Sequence, residues 1–314
     1  MPTQPSTSRS ATTPAAATGA STATGASAAT ADVSTVSVDD GRTIAYAEYG
    51  DPDGDPVLFF HGTPGSRLLA GLLEPAATEH GVRLVAHDRP GYGRSDPQPD
   101  RTVRDAGANA AAVLDAAGIE TAGLVGFSGG SAHALATAAV HPDRVDRVDV
   151  IAGIAPPEFA ESAARAPRLL AAMARRAPSV LDSILRADAW VAERRSPSAA
   201  VSRYTSDAVD EPVPDDVATV VKADLLEAVA RSRSGAVTEF RTTAAEWGIP
   251  LETLSKAAID VRFHHGDVDA NAPLADVRRF VAALPTAELR VLEGADHLRT
   301  LIRAGPTALR ERTE

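Results

Sequence analysis

The sequence of 314 residues contains no cysteine. It therefore cannot form a disulfide framework, a thiolate metal site or a catalytic thiol, and because it tolerates a reducing compartment we expect a cytoplasmic protein. Only two lysines, Lys222 and Lys256, accompany the arginines, so candidates for a catalytic amine are few. No apolar run approaches the roughly 20 residues of a membrane span. We expect no membrane span.

Positive charge is also scarce. The chain has 31 basic and 42 acidic residues, a formal net charge of -11. Nucleic acids and anionic membrane surfaces bind basic patches, so both are disfavoured and a small-molecule substrate is expected.

Cofactor and metal motifs are missing too. The chain has no phosphate-binding glycine loop and no HExxH or CxxC motif, and its acidic turn Asp51–Asp55 lacks the trailing glutamate of a calcium loop. We predict no cofactor and no metal site.

Residues 1–31 consist almost entirely of Ala, Thr, Ser, Pro and Gly. Such a segment has too little apolar bulk to offset the entropy lost on ordering, and it is predicted to be a disordered low-complexity tail. Its Ser/Thr-rich, acid-poor composition is also compatible with a transit peptide.

From residue 33 onwards, short β-type runs are followed by alternating helical and β-type runs. Strands are predicted at 33–38, 43–49, 57–60, 82–87, 122–127, 145–152, 259–264 and 288–292. Helices are predicted at 68–80, 102–117, 130–141, 274–284 and 298–311. Such alternation is typical of an α/β protein with a mostly parallel central sheet and helices on both faces.

Residues 156–250 interrupt this alternation with an Ala/Arg-rich helical stretch. Five prolines break it: Pro167, Pro178, Pro197, Pro212 and Pro214. We predict a helical lid inserted into a core formed by 32–155 and 251–314. Because it lies between two strands of the sheet, it should cover their carboxyl ends, where α/β sheets bind ligands.

The sequence Gly-Phe-Ser-Gly-Gly at 126–130 follows the apolar run 124–127 and precedes an Ala-rich helical run at 132–141. This pattern is typical of a nucleophile elbow, in which a serine occupies a turn so tight that only small residues fit beside it. Ser128 is therefore the candidate nucleophile, and the N–H of Gly129 is a candidate oxyanion donor at the start of the next helix.

A nucleophilic serine needs a base and a carboxylate that orients the base, in the chain order serine, acid, histidine. The loop after the predicted strand 259–264 carries Asp267 and Asp269, and the loop after 288–292 carries His297. The sequence thus predicts a triad of Ser128, a carboxylate of the first loop and His297.

The neighbour of His297, Asp296, cannot easily orient it because adjacent side chains point apart. We expect Asp296 to be solvated or to cap the last helix. The other histidines are expected at strand ends or on the surface: His61, His80, His87, His133, His141, His264 and His265.

Residues 33–155 and 245–314 resemble the α/β-hydrolase fold superfamily, in its lid-bearing branch. The resemblance rests on five motifs in order: His61–Gly65, Asp88–Asp96, the elbow, the acid loop 265–273 and the histidine loop 293–298. In the second motif, Asp88 and Arg89 are expected to pin their loop by ion pairing.

The resemblance also implies roles for individual residues. The family's acid, three residues after the glycine of the acid loop, corresponds to Asp269, with Asp267 as the alternative. The second oxyanion donor corresponds to the N–H of Thr63, with Gly62 as the alternative.

These residues predict a serine hydrolase that cleaves a carboxylic ester, or an amide, through an acyl-enzyme. A proline-iminopeptidase-like aminopeptidase is the nearest alternative. It would need acidic lid groups for the substrate amine, for which Glu158, Glu161 and Glu193 are candidates. Lyases, cofactor-free oxygenases and inactive binding proteins use the same fold and are further alternatives.

Overall fold

The structure, a computed structural model, describes residues 32–161 and 165–313. The predicted tail at 1–31 lies outside the described residues. The described strands are β1 (Val33–Ser37), β2 (Thr43–Gly50), β3 (Asp55–Phe60), β4 (Val82–His87), β5 (Ala122–Phe127), β6 (Val145–Ile151), β7 (Asp260–Gly266) and β8 (Ala287–Leu292). The described α-helices are α1 (Glu74–Glu79), α2 (Ala106–Ala116), α3 (Gly130–Val140), α4 (Arg165–Arg176), α5 (Pro178–Arg194), α6 (Pro197–Val201), α7 (Asp215–Ala230), α8 (Ser234–Thr242), α9 (Glu252–Lys256), α10 (Leu274–Ala282) and α11 (His297–Thr313).

The strands form one sheet in the order β1-β2-β4-β3-β5-β6-β7-β8. Strand β2 pairs antiparallel with both its neighbours, β1 and β4, and every other pair of adjacent strands in this sheet is parallel. The prediction of an α/β fold with a mostly parallel sheet is confirmed.

Strand β3 shows why the sheet is covered on both faces. Its side chains alternate, so Leu58 and Phe60 pack in one apolar layer with residues of α2, α3 and α10. Val57 and Phe59 pack on the opposite face with residues of α1 and α11. All four side chains are buried, as expected for a parallel strand in the middle of a sheet.

Several element boundaries differ from those predicted, and two of them have a clear cause or consequence. The helix predicted at 68–80 is divided into a 3₁₀ turn, Arg67–Leu72, and the short helix α1. The strand predicted at 259–264 continues to Gly266, because its last residues pair with β8 as far as Leu292. Strand pairing, which a local pattern cannot show, sets this second boundary.

Helices α4 to α8 follow β6 and precede β7, in the interval where the sequence predicts an inserted lid. Helix α7 packs against the 3₁₀ turn after β3, and α8 packs against α4. The helices therefore lie beside loops at the carboxyl ends of the parallel strands, and their role as a lid stays a prediction. No helix in the described ranges combines the length and apolarity needed to cross a bilayer.

Candidate active site

Ser128 lies on a tight turn between β5 and α3. Its backbone φ of 52° is in the left-handed region, and its amide donates to Ile151 O at 3.0 Å. A Cβ added at Gly126 would lie 2.7 Å from Ser131 Cα, and one added at Gly130 would collide with the carbonyl oxygen of Phe60. Glycine on both sides therefore permits the turn that presents the Ser128 hydroxyl.

The structure brings Ser128, His297 and Asp269 together. His297 Nε2 lies 2.8 Å from Ser128 Oγ, and His297 Nδ1 lies 2.7 Å from Asp269 Oδ2. The other carboxylate oxygen, Oδ1, accepts from the amides of Asn271 at 2.8 Å and Ala272 at 3.0 Å. These distances form a continuous hydrogen-bonded chain from hydroxyl to imidazole to carboxylate.

Asp269 is suited to remain ionised. Burial acts to raise the pKa of its carboxyl group. The charge of His297 and the hydrogen bonds from His297 and Ala272 outweigh that effect, so the pKa of Asp269 lies below its usual range. An ionised carboxylate beside Nδ1 keeps the proton on that nitrogen and leaves Nε2 free to accept one.

The two neighbouring aspartates have other contacts. Asp267 is exposed, and its Oδ1 accepts from Gly294 N at 2.8 Å. Asp296 caps α11 through Arg299 N at 2.9 Å and also accepts from Ser206 N at 3.1 Å. The expectation that Asp296 caps the last helix agrees with this geometry. The alternative, a solvated side chain, is wrong because Asp296 is buried in an ion pair with Arg299.

One histidine expectation is also wrong. His133 lies at neither a strand end nor the surface, because it is buried within α3 with its Nε2 3.1 Å from Glu239 Oε1. His61, His87, His264 and His265 do lie at strand ends, but all four are buried. Within the described ranges, no group of three or more histidine, aspartate or glutamate side chains could hold a metal ion.

The predicted oxyanion donors lie next to each other. A Cβ built on Gly129 would lie 3.6 Å from Thr63 N, and one built on Gly62 would lie 3.5 Å from Ser128 Cβ. Neither Thr63 N nor Gly129 N donates to an acceptor in the described part of the chain. Two unused amides beside the hydroxyl are what a developing oxyanion requires, and their catalytic role stays a prediction.

The loop that carries Thr63 is held by Arg89 and Glu239. Arg89 Nη2 donates to Gly62 O at 3.0 Å, and Nη1 donates to His61 O. Glu239 of α8 accepts from Arg89 Nε at 2.6 Å and from Thr63 Oγ1 at 2.7 Å. The expected ion pairing of Arg89 is therefore present, with a partner on α8, and Asp88 pairs separately with Arg67 at 2.6 Å.

Glu239 is fully buried at the centre of a larger polar cluster. It also accepts from Tyr92 Oη at 2.8 Å and from Arg101 Nη2 at 3.3 Å. Burial acts to raise its pKa, but the charges of Arg89 and His133 and their hydrogen bonds hold the pKa of Glu239 well below its usual range. A carboxylate bound this fully has no remaining capacity for a substrate amine.

We expect Glu239→Ala to lower the free energy of unfolding by roughly 3–5 kcal/mol, because it leaves Arg89 and Arg101 buried without their carboxylate. Urea denaturation measures this change. Glu227→Ala is the matched control: Glu227 is partly exposed, and its partner Arg67 keeps Asp88. Equal losses for both variants would show that the Glu239 cluster is not a special source of stability.

A second buried acid, Asp224 of α7, reaches the same loop. Its Oδ1 accepts from Ser66 N at 2.6 Å and Ser66 Oγ at 2.8 Å, and no basic side chain of the described residues forms an ion pair with it. Burial raises the pKa of Asp224 to about 7, with Asp88 adding to the effect and the Ser66 hydrogen bonds opposing it. Its charge therefore changes near neutral pH.

Because of Asp224, the free energy of unfolding should decrease as the pH rises. The unfolded carboxyl titrates near 3.8 and the folded one near 7, so between these values the folded state binds more protons and unfolding becomes easier as pH rises. We expect Asp224→Asn to melt higher than the wild type at pH 8 and the difference to shrink towards pH 5. Scanning calorimetry across this range tests it, with exposed Asp210→Asn as control. A pH-independent difference would contradict the expectation.

Sequence reasoning missed both buried acids. Its candidates in the insertion, Glu158, Glu161 and Glu193, are all exposed. A signal was present for Asp224, because it lies three and four residues from buried apolar side chains on the inward face of α7. An acid on an apolar helix face needs a polar partner or a function.

Ser128 is partly exposed and borders a narrow cavity with room for about one water molecule, about 10 Å³. The cavity is lined by Gly62, Thr63, Pro64, Leu69, Phe127, Ser128, Tyr204, Val221, Asp224 and Leu298. Tyr204 stacks on His297 with ring centroids 6.2 Å apart and an angle of 15° between planes. Residues of the insertion therefore cover the hydroxyl and the imidazole on this side.

The comparisons with known proteins agree with the fold. Residues 55–187 match the family model described as the alpha/beta hydrolase fold. The chain is 35% identical over 126 residues to a non-heme chloroperoxidase of Streptomyces lividans, covering 40% of this chain and 46% of that protein. It is 35% identical over 143 residues to a probable proline iminopeptidase of Streptomyces coelicolor, covering 42% of this chain and 43% of that protein. These matches span less than half the length of either relative.

Similarity of structure extends over almost the whole core. A putative aryl esterase from Burkholderia cenocepacia superposes with a TM-score of 0.65 at 19% identity, covering 90% of this chain and 97% of that one. At this identity the likeness shows the fold alone. With the family match over residues 55–187, the strand order and the position of the elbow, it follows that this chain has the α/β-hydrolase fold.

Proposed function

We propose that this protein is a serine hydrolase that cleaves carboxylic esters, or amides, through an acyl-enzyme. The observation that carries the proposal is the hydrogen-bonded chain from Ser128 Oγ through His297 to Asp269, with distances of 2.8 Å and 2.7 Å. Hydrogen-bond contact between nucleophile and base, with the base oriented by a third group, is the arrangement that covalent hydrolysis requires.

In the first half-reaction His297 Nε2 takes the Ser128 proton as Oγ attacks the substrate carbonyl. The amides of Thr63 and Gly129 then donate to the oxyanion of the tetrahedral intermediate. His297 passes its proton to the leaving oxygen or nitrogen, which departs and leaves the acyl group on Ser128. Water, deprotonated by the same imidazole, attacks the acyl-enzyme, and the imidazolium returns that proton to Ser128 Oγ as the carboxylic acid departs.

The insertion is proposed to act as a lid over this chemistry. Its residues Tyr204, Val221 and Asp224 border the cavity beside Ser128, and Leu298 N donates to Tyr204 O at 3.1 Å. Covering the triad excludes bulk water, which strengthens the electrostatic interactions of the site, and it also selects which substrates reach Ser128.

Two assays test the proposal together. A fluorophosphonate probe should label the wild-type protein covalently, and a panel of simple esters should be turned over. The absence of both labelling and turnover would contradict the proposal. Labelling without turnover of any ester or amide would favour the non-hydrolytic chemistry found on this fold.

An aminopeptidase of the proline-iminopeptidase type is a second candidate. Asp224 supports it: this buried carboxylate has no ionic partner among the described residues and borders the same cavity as Ser128, so a substrate ammonium group could pair with it. Hydrolysis of a proline anilide, loss of that activity on N-acetylation of the substrate, and loss in Asp224→Asn would support this candidate over the esterase.

A further inference from the structure

A second and much larger cavity, of about 500 Å³, lies between α4, α8 and the loops that follow β6 and β7. Its volume is within the range of pockets that bind small molecules. It is lined by Ile154, Ala155, Pro157, Ala160, Arg168, Ala171, Arg175, Phe240, Thr243, Ala244, Asn271, Ala272, Pro273, Asp276 and Val277.

Hydrogen bonds connect the lining of the pocket to the backbone of Ser128 and to Asp269. Ile154 N donates to Ser131 Oγ at 3.2 Å, and that hydroxyl donates to Ser128 O at 2.6 Å. On another wall, Ala272 N donates to Asp269 Oδ1 at 3.0 Å. Two walls of the pocket are thus one or two hydrogen bonds away from the triad.

The direction of the substrate follows from the roles proposed above. The leaving oxygen must reach His297, whose ring is stacked by Tyr204 on the side of the narrow cavity. On this proposal the acyl chain extends away from His297, towards the loop after β6 that carries Ile154. Ile154 and Ala155 of that loop line the large pocket.

The lining combines an apolar surface with two arginines. Arg168 and Arg175 are seven residues apart on α4, so they lie on the same face about 10 Å apart along the helix axis. Arg168 donates to the backbone carbonyls of Ala160 and Glu161, and neither arginine pairs with a carboxylate of the described residues. The acid in the lining, Asp276, is already paired with Arg279.

We infer that this pocket binds the acyl chain of ester substrates that carry an anionic group, a carboxylate in the simplest case, at the end of an apolar chain. The inference rests on the proposed ester hydrolysis. The apolar walls contact the chain, and the guanidinium groups of Arg168 and Arg175 bind the terminal carboxylate. Because the whole protein carries a net charge of -11, a local pair of arginines is needed to favour an anion.

A graded series of p-nitrophenyl half-esters of dicarboxylic acids, set against neutral acyl esters of matched length, tests the inference. The measured quantity is the ratio of kcat/KM for the anionic ester to that for its neutral counterpart. We expect the wild-type ratio to peak at one chain length. Arg175→Gln and Arg168→Gln should each lower it by roughly three- to tenfold, because each removes a charge-assisted hydrogen bond. Added salt should also lower it.

Arg176→Gln is the matched control, since Arg176 is an exposed neighbour on α4 that does not line the pocket. It should leave the ratio unchanged. An anionic-to-neutral ratio below one at every chain length, or a ratio that Arg168→Gln and Arg175→Gln do not change, would overturn the inference while neutral ester turnover and phosphonate labelling persist. If the wild-type protein showed neither ester turnover nor phosphonate labelling, the proposed function would be overturned and the inference with it.

Discussion

Replacing Ser128 with alanine is expected to lower ester turnover by about 10⁵- to 10⁶-fold and to abolish covalent labelling by a fluorophosphonate. The variant removes the oxygen that lies 2.8 Å from His297 Nε2. Steady-state kinetics with a chromogenic ester and gel detection of the probe measure both effects. The fold should persist, because alanine loses one partly exposed hydroxyl.

Ser131→Ala is the matched control, since Ser131 follows the elbow directly, in α3, and its hydroxyl donates to Ser128 O rather than contacting the imidazole. It should retain phosphonate labelling. Wild-type esterase activity in Ser128→Ala, with an unchanged melting temperature, would falsify the assignment of Ser128 as the nucleophile.

The second large effect is expected at Asp269. In Asp269→Asn the amide donates to His297 Nδ1, which moves the imidazole proton to Nε2 and prevents that nitrogen from accepting the Ser128 proton. We expect a loss of about 10⁴-fold in kcat with a small change in KM. The same chromogenic assay measures it.

Asp267→Asn provides the comparison, because Asp267 is exposed on the same loop and its carboxylate accepts from Gly294 N rather than contacting His297. Its kcat should fall less than tenfold. If Asp267→Asn were the damaging variant and Asp269→Asn were nearly normal, the assignment of Asp269 would be wrong and Asp267 would be the orienting acid.

Chain order and local pattern were sufficient to predict much of the fold and the members of the candidate triad. Gly126, Gly129 and Gly130 stand beside a serine between an apolar strand and an Ala-rich helix, and few other turns need that combination. Asp269 and His297 follow the carboxyl ends of predicted strands. In a parallel sheet those ends meet at one edge, so residues far apart in sequence converge there.

The acids of the insertion could not be assigned in the same way. Glu158, Glu161, Glu193, Asp224 and Glu239 are all acidic residues of a helical segment, and apart from the apolar spacing around Asp224 their local sequence does not indicate which of them will be buried. The packing of α7 and α8 on the core decides it: Asp224 meets Ser66, Glu239 meets Arg89, and the other three face solvent.

Short-range chemistry therefore specifies the elbow, the alternation of strands and helices, and which side chains can serve as nucleophile, acid and base, because each depends on residues adjacent in the chain. The tertiary structure alone decides the hydrogen-bond distances of the candidate triad and the two carboxylates, Asp224 and Glu239, that hold the loop carrying Thr63. It also decides that Arg168 and Arg175 line one pocket with Asn271. Those features depend on contacts between segments separated by up to 176 residues, such as Thr63 and Glu239, and such contacts form only when the helices pack on the sheet.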